Sequence, residues 1–560
     1  MNRRKRRQER VKRKDATPQA IRPHLSRIPE AAFDPLLERY VQFWFGRDSK
    51  TRNDAGVTPI MEASKEGDEA SVSVLLNLRK KILREDGQDI AIVGVSESSN
   101  GWTALHYAVH HKNIKIARLL LDVVGKCLVD VQDKLGRTPL HFAASNGYGM
   151  VHLLCEHGAN ANIRDHEGQT PLATALTKGY NVNAEKLLEH GADANMRDLK
   201  ERSPLHKVIK QNDYRMVGLL CKHGAKINVR DDEGRTPLFL SLAEGDNLNA
   251  MELLENGADP NIMDYNGRHT LHNMKHRNYR MVSLLCKHGA DVDTQNDFGQ
   301  TLLLAALSAG DKVIAMELLE HGADPNLCDS DGRHPLLNIK NNDYRMVNLL
   351  CKHGANVNTQ DHTGKTLLFN ALSEGDNAIA MELLEYGADP NIVDFDGRHP
   401  LHNIKRNDYR MAGLLCDNGA NVNVQDSSGR TPLFMALSTG ENAIAMELLA
   451  HGADPNIMTN HGQHTLHNIK RNDYKMMGLL CAHGAVVDVR DDKGRTPLFV
   501  ALSTGENAIA MELLENGADP NLVDSRGRHP VHNVKRFDRR LVEILHERGA
   551  NASLTSRDEG

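Results

Sequence analysis

Six cysteines, Cys155, Cys221, Cys286, Cys351, Cys416 and Cys481, each follow a Leu-Leu pair at a spacing of about 65 residues. Thiols so placed could hold zinc, pair as disulfides or act as nucleophiles. None belongs to a Cys-x-x-Cys pair of the kind structural zinc sites use. Histidines invite a second metal reading: His269/His272, His399/His402, His464/His467 and His529/His532 stand at i, i+3, which brings two imidazoles to one side of a helix. Two ligands fall short of the four of a structural zinc site. The sequence carries no G-x-S-x-G, Walker loop, kinase set or His-Glu-x-x-His. The expectation is a protein that is not an enzyme, with no catalytic residues, cofactor or metal.

A third constellation is electrostatic. Residues 1–14 carry nine Lys/Arg and one Glu within a chain of net charge −5, so the remainder is strongly acidic. Arg3, Arg4, Lys5, Arg6 and Arg7 head this run and admit three readings: a nuclear import signal, contact with nucleic acid or an anionic surface, or a solvated tail. No aromatic residue interleaves it, so stacking on bases is not indicated. No apolar run approaches the ~18 residues of a membrane span, and the first residues lack a signal-peptide core. Eight cysteines are sparse for so long a chain and suit a reducing compartment as free thiols. The expected location is cytoplasmic, with the nucleus as the alternative.

The elements that position these residues recur. A glycine in the frame D-x-x-G-R/Q-T/H-P/T-L returns at Gly136, Gly168, Gly234, Gly267, Gly299, Gly332, Gly364, Gly397, Gly429, Gly462, Gly494 and Gly527, with Glu201 in its place once. More divergent members stand at Gly56 and Gly101, which makes about fifteen units. Spacings of 32 and 33 alternate because two unit types alternate, as a double repeat of ~65 residues.

Each unit predicts helix, turn, helix, loop. In Gly429–Asn456, Thr431 is a helix cap and Pro432 occupies the first helical position, where a missing N–H costs nothing. Leu433, Ala436 and Leu437 form one apolar face, and Ile444, Leu448 and Leu449 the next. Gly452 stands where a helix end wants a left-handed residue, and D-x-x-G is a turn signal. A unit of this size cannot bury its faces alone, so neighbours must stack.

With the residues GRTPLHFAASNGYGMVHLLCEHGANAN in view (Gly136 to Asn162), the chain resembles the ankyrin repeat family over about residues 54–552. The resemblance implies an all-α solenoid of helix pairs with hairpin tips along one edge, used to bind other macromolecules. In that frame the second histidine of each pair, at the TPLH position, is a hydrogen-bonding structural residue. The cysteines, two units apart, lie ~20 Å from one another and cannot pair, and are expected to be buried. Where the usual Thr is His269, His334, His399, His464 or His529, a weaker helix cap is expected. Glu201, replacing a glycine that needs positive φ, should cost about 1 kcal/mol, and its junction is a candidate for a bend.

The remaining expectations concern partners. Residues 1–30 read as a basic disordered tail, 31–53 as a helix that caps the array or docks a partner, and 553–560 as a short tail. Charge alternates between unit types, with Lys405, Arg406 and Arg410 against Glu374, Asp376, Glu382 and Glu385, which suggests ion pairing between units. On the tips most copies carry small or charged residues, whereas Tyr265, Phe298 and Phe395 place aromatics there, with Arg268, Arg333, Lys365 and Arg398 after the nearby glycines. Aromatic plus arginine is the composition of interface hot spots. The expectation is a non-enzymatic scaffold or adaptor that binds a protein partner on its concave or tip face. Alternatives are a nuclear regulator touching nucleic acid through the N-terminal tail alone, and a ubiquitin-ligase substrate receptor. No SOCS-box-like or F-box-like segment follows the repeats, which counts against the latter.

Overall fold

The computed structural model describes residues 57–85, 99–124, 129–146, 149–211, 213–274, 278–339, 343–404, 408–469, 473–533 and 539–550. The basic run Arg3 to Arg7, the segment 31–53, the C-terminal tail and the pair Lys405-Arg406 lie outside them. Among the described residues there are fifteen successive pairs of helical segments and no β-strand, only two isolated bridges, Gln295 with Thr301 and Gln360 with Thr366. No described helix is long and apolar enough to cross a membrane. The chain divides into two compact units, ending at Asp291 and starting at Val292.

In the second unit the two repeat types are cleanly separated. Four units have an eight-residue first helix: Leu302–Ala309, Leu367–Glu374, Pro432–Thr439 and Pro497–Thr504. Each is capped by a threonine whose hydroxyl accepts the third helical N–H, at 3.2 Å for Thr431 to Phe434 and 3.3 Å for Thr366 to Phe369. Each closes on a left-handed glycine, as at Gly440 with φ 80°. The expected apolar residues are the buried ones: Leu433, Ala436 and Leu437 from the first helix, Ile444, Leu448 and Leu449 from the second.

The other four units correct the helix-pair expectation. Their first helix is one turn of 3-10 helix: Pro335–Asn338, Pro400–Asn403, Thr465–Asn468 and Pro530–Asn533. Thr270–Asn273 does the same at the end of the first unit. Two sequence features account for it. The cap is histidine, and its side chain makes no capping bond at His269 or His334. The stretch up to the second helix is also one residue shorter (Pro400 to Tyr409 against Pro432 to Asn442) and lacks the closing glycine. The chain therefore leaves the helical region at Ile404, φ −62° and ψ 130°. Pro204–Ile209 is the internal control, because its unit has the same Tyr-Arg-Met second helix but keeps a serine cap and the extra residue, and its first segment remains α-helical.

Neighbouring units are tied by polar ladders as well as by the core. Asn358 Oδ1 accepts the Asp389 N–H at 2.8 Å; Asn391 accepts the Asn421 N–H at 2.8 Å and donates to the Gly419 carbonyl at 3.0 Å. The TPLH histidines form a second ladder. His402 Nδ1 accepts the His399 N–H at 3.1 Å, which fixes the proton on Nε2, and that N–H donates to the Arg430 carbonyl at 2.9 Å. Both nitrogens are thereby engaged, as they are at His106, His141, His206 and His467. Burial lowers the pKa of all five, that of His106 to about 4.

Glu201 takes the expected left-handed conformation, φ 54°. Its N–H still closes the turn onto the Asp198 carbonyl at 3.0 Å, and the tip-to-tip bonds continue on both sides, Leu199 N–H to Glu167 at 3.3 Å and Asp232 N–H to Lys200 at 3.1 Å. The strain is therefore borne without breaking the stack.

Candidate functional site

Most tips are built by an aspartate, with Asn296 in its place at the Phe298 tip and Thr459 at the Gly462 tip. Asp264 Oδ1 accepts the N–H groups of Asn266 and Arg268 at 3.0 and 2.9 Å, and Oδ2 takes the Arg268 guanidinium at 2.8 Å. Burial alone would raise this carboxyl's pKa; the Arg268 backbone and side-chain bonds outweigh it and hold the group below the usual range. Asp329 with Arg333 repeats the arrangement. Two of the four candidate cations are thus engaged within their own tip. Lys365 donates its backbone N–H to Asp361 at 3.0 Å, and its ammonium lies 5.4 Å from the Phe369 ring centre. Arg398 differs: Asp394 takes its N–H at 2.9 Å, but Asp394 Oδ2 is left without a partner, and among the described residues the guanidinium makes no ion pair.

The three candidate aromatics are the most exposed rings of the described chain, with 66% of Tyr265, 73% of Phe298 and 79% of Phe395 open to solvent. They are anchored through their backbones. Tyr265 N–H donates to Glu233 at 3.0 Å and Phe395 N–H to Thr363 at 3.1 Å, while the Phe298 carbonyl accepts from Ser330 at 3.0 Å. The preceding tip offers a glycine for the ring to lean on: a Cβ at Gly364 would come within 2.7 Å of the Phe395 ring, and one at Gly234 within 2.7 Å of Tyr265. One edge of each of these two rings therefore packs on its neighbour while most of it faces outward. Phe395 and Arg398 belong to one tip, three residues apart in sequence, so that tip carries an exposed ring and a guanidinium with no ion pair among the described residues. Arg268 shares its tip with the exposed Tyr265, but its guanidinium is spent on Asp264 and lies 5.9 Å from the Phe239 ring centre.

Sequence reasoning missed a second aromatic row. Tyr214, Tyr279, Tyr344, Tyr409 and Tyr474 open the second helices of alternate units and are exposed. The following arginine orders the ring, with Arg280 Nε donating to Tyr279 Oη at 3.1 Å and Arg345 to Tyr344 at 3.2 Å. The invariant Asp/Asn-Tyr-Arg/Lys at a constant 65-residue step was the available signal. The cysteines differ from expectation as well: Cys351 is buried, whereas Cys155, Cys221, Cys416 and Cys481 are half-buried. Burial, and then the carboxylate of Asp130 or Glu382, raises the thiols of Cys155 and Cys351 to about 11, so neither is a nucleophile at neutral pH.

The acidic residues facing these helices act mainly by hydrogen bonding. Glu382 accepts from the Asn348 amide, and at Gly218 and Gly413 the glutamate of the next unit fills the space a Cβ would need, 2.5 Å away. Lys312 with Asp343, 2.5 Å apart, joins two unit types with the signs reversed from the expectation: the lysine is on the threonine-capped unit and the aspartate on the histidine-capped one.

Known proteins share this pattern. The family profile of ankyrin repeats, three copies at a time, matches residues 31–127 and then overlapping stretches through 466–556. Curated relatives include the E3 ubiquitin-protein ligase KEG of Arabidopsis thaliana, 26% identical over 43% of this chain and 18% of the ligase, and the B-cell lymphoma 3 protein homolog of Mus musculus, 36% identical over 20% of this chain and 25% of that protein. The chain therefore spans about a fifth to a quarter of the length of these relatives. The solved ankyrin repeat domain of Bcl-3, of the IkappaB protein family, is 26% identical with a TM-score of 0.36, covering 41% of this chain and 98% of that one. By the profile, which runs over most of its length, the chain belongs to the ankyrin repeat family.

Proposed function

We propose that this chain is a non-enzymatic scaffold or adaptor that holds a partner protein on its hairpin tips. Ankyrin repeats generally mediate protein–protein interaction. The observation that carries the reading is the exposure of Phe298 and Phe395 on tips whose counterparts are mostly small or charged, Phe395 on the same tip as Arg398, which makes no ion pair among the described residues. Large rings held outward by backbone bonds lose little entropy on docking, the property of hot-spot residues. The ligase among the relatives is matched over too little of its length to carry its activity here. Location in cytoplasm or nucleus, with the tail Arg3 to Arg7 as an import signal, belongs to the same proposal, and Ala at these five positions should lower nuclear signal at unchanged melting temperature.

Capture from an extract followed by titration tests the binding surface. Phe298→Ala with Phe395→Ala should weaken the captured partner by about 2 kcal/mol or more at unchanged thermal stability. A loss of stability at unchanged affinity would make the rings structural and put the binding face elsewhere.

A further inference from the structure

A concavity in the first unit lies among the loops and tips of three successive repeats. It has a volume of about 680 Å³ and is lined by Arg197, Glu201, Lys226, Arg230, Asp232 and the Tyr265 ring, above the buried Val229. Its charges are not equally spent. Arg197 is tied to Glu201 at 3.1 Å, and Asp232 exerts its field on Arg235, which Asp231 holds at 2.8 Å. Among the described residues Lys226 and Arg230 are within ion-pair distance of no carboxylate. Arg230 instead lies 5.8 Å from the centre of the Tyr265 ring.

The position of Arg230 shows what this side chain does elsewhere. Gln360 and Gln425 occupy it two and three double steps along and donate to the carbonyls of their own turn and of the next unit, Gln360 to Gly364 and Val393, Gln425 to Gly429 and Met458. Arginine fills it in three consecutive units, Arg164, Arg197 and Arg230. Arg164 still donates to its own turn, at Gly168, and Arg197 is neutralised by the glutamate that displaced a glycine. Arg230 has neither role, and it stands beside a lysine and an exposed ring over an open depression.

We infer that this depression receives an acidic segment of a partner protein, a Glu or Asp carboxylate bridging Lys226 and Arg230 while an adjacent apolar side chain lies on Tyr265. Guanidinium pairs with carboxylate in a forked geometry, and a ring next to it offers the apolar contact that distinguishes an acidic peptide from a free anion. The inference rests on the scaffold reading and adds the chemistry of the segment recognised.

The full chain is titrated with a fluorescein-labelled twelve-residue peptide in which glutamates flank a leucine, and with its glutamine counterpart. The glutamate peptide should bind roughly tenfold more tightly and weaken with added salt. Lys226→Gln with Arg230→Gln should cost about tenfold at an unchanged circular dichroism spectrum, and Lys493→Gln, on a tip of the second unit, should cost nothing. Glu201→Gly, which releases Arg197, should tighten binding about threefold. Equal binding of the two peptides, no binding at millimolar peptide, or full affinity in the double variant each overturns the inference. So does displacement by an equal concentration of inorganic phosphate, which would make this a phosphate site. Peptide affinity is read directly, so it is separable from the scaffold reading: a captured partner lost with Phe298→Ala and Phe395→Ala but retained in the double variant keeps the scaffold and removes the pocket.

Discussion

Threonine-capped and histidine-capped units share a loop, a tip and a second helix, yet only the former keep a full first helix. Pro432–Thr439 and Pro400–Asn403 begin with the same Pro-Leu pair, and both leucines are buried. They differ in the cap, in one residue of length and in the closing glycine. The lesson is that the stacking interface is specified by the leucine and the ladder residues, and that the rest of the first helix is dispensable where those survive. A repeat array tolerates this because each unit draws its stability from neighbours on both sides.

Acid should break the comparison most strongly. Burial depresses His106 to about 4 and lowers His141, His206, His402 and His467. A histidine whose folded pKa lies below its unfolded value contributes stability that is complete above about pH 6.5 and is lost as pH falls toward the folded value. Each pH unit in that window costs about 1.4 kcal/mol per such histidine, on the order of 3 kcal/mol for His106 alone. The threonine-capped units with Phe369, Phe434 or Phe499 at the same position carry no such term. As pH falls below 6.5, hydrogen exchange should therefore accelerate around His402 and His467 before it does around Phe434 and Phe499. Equal acceleration at Phe434 and Phe499 would show that the histidine ladder is not what acid attacks.

Cap substitutions sharpen the same contrast on a smaller scale. Thr431→Ala removes the hydroxyl that accepts the Phe434 N–H and should cost about 1 kcal/mol in a denaturant melt. His334→Ala, which removes no capping bond, should cost clearly less. Smaller again is Glu201→Gly: relief of the left-handed strain at φ 54°, offset by loss of the exposed Arg197 ion pair, should raise stability by about 0.5–1 kcal/mol. A drop in stability would mean that the ion pair, and not the backbone, governs that tip.

Much of this was legible in the residues. Leu433, Ala436, Leu437, Ile444 and Gly452 announce a capped helix pair, because apolar spacing and glycine act locally. The loss of helix at Ile404 was not, since histidine for threonine reads as a weaker cap and a missing residue is hidden by the alternation of 32 and 33. Exposed aromatics on the tips could be named as Tyr265, Phe298 and Phe395 because they break a repeated pattern. The row from Tyr214 to Tyr474 keeps its pattern, and a ring at the first position of a helix looks the same whether it faces core or solvent. That Arg268 and Arg333 close on buried aspartates while Arg398 does not is a matter of side-chain reach, which composition does not encode.

The two exposed aromatic rows, one on the tips and one on the second helices, give the most direct test of how this chain binds. Hydrogen exchange is measured on the full chain alone and saturated with its captured partner. We expect protection to rise at the tips around Phe298 and Phe395 and to stay unchanged at the second helices Tyr344–Lys352 and Tyr409–Asp417. Protection confined to those helices, with the tips unchanged, would contradict the tip-binding scaffold and transfer recognition to the tyrosine row.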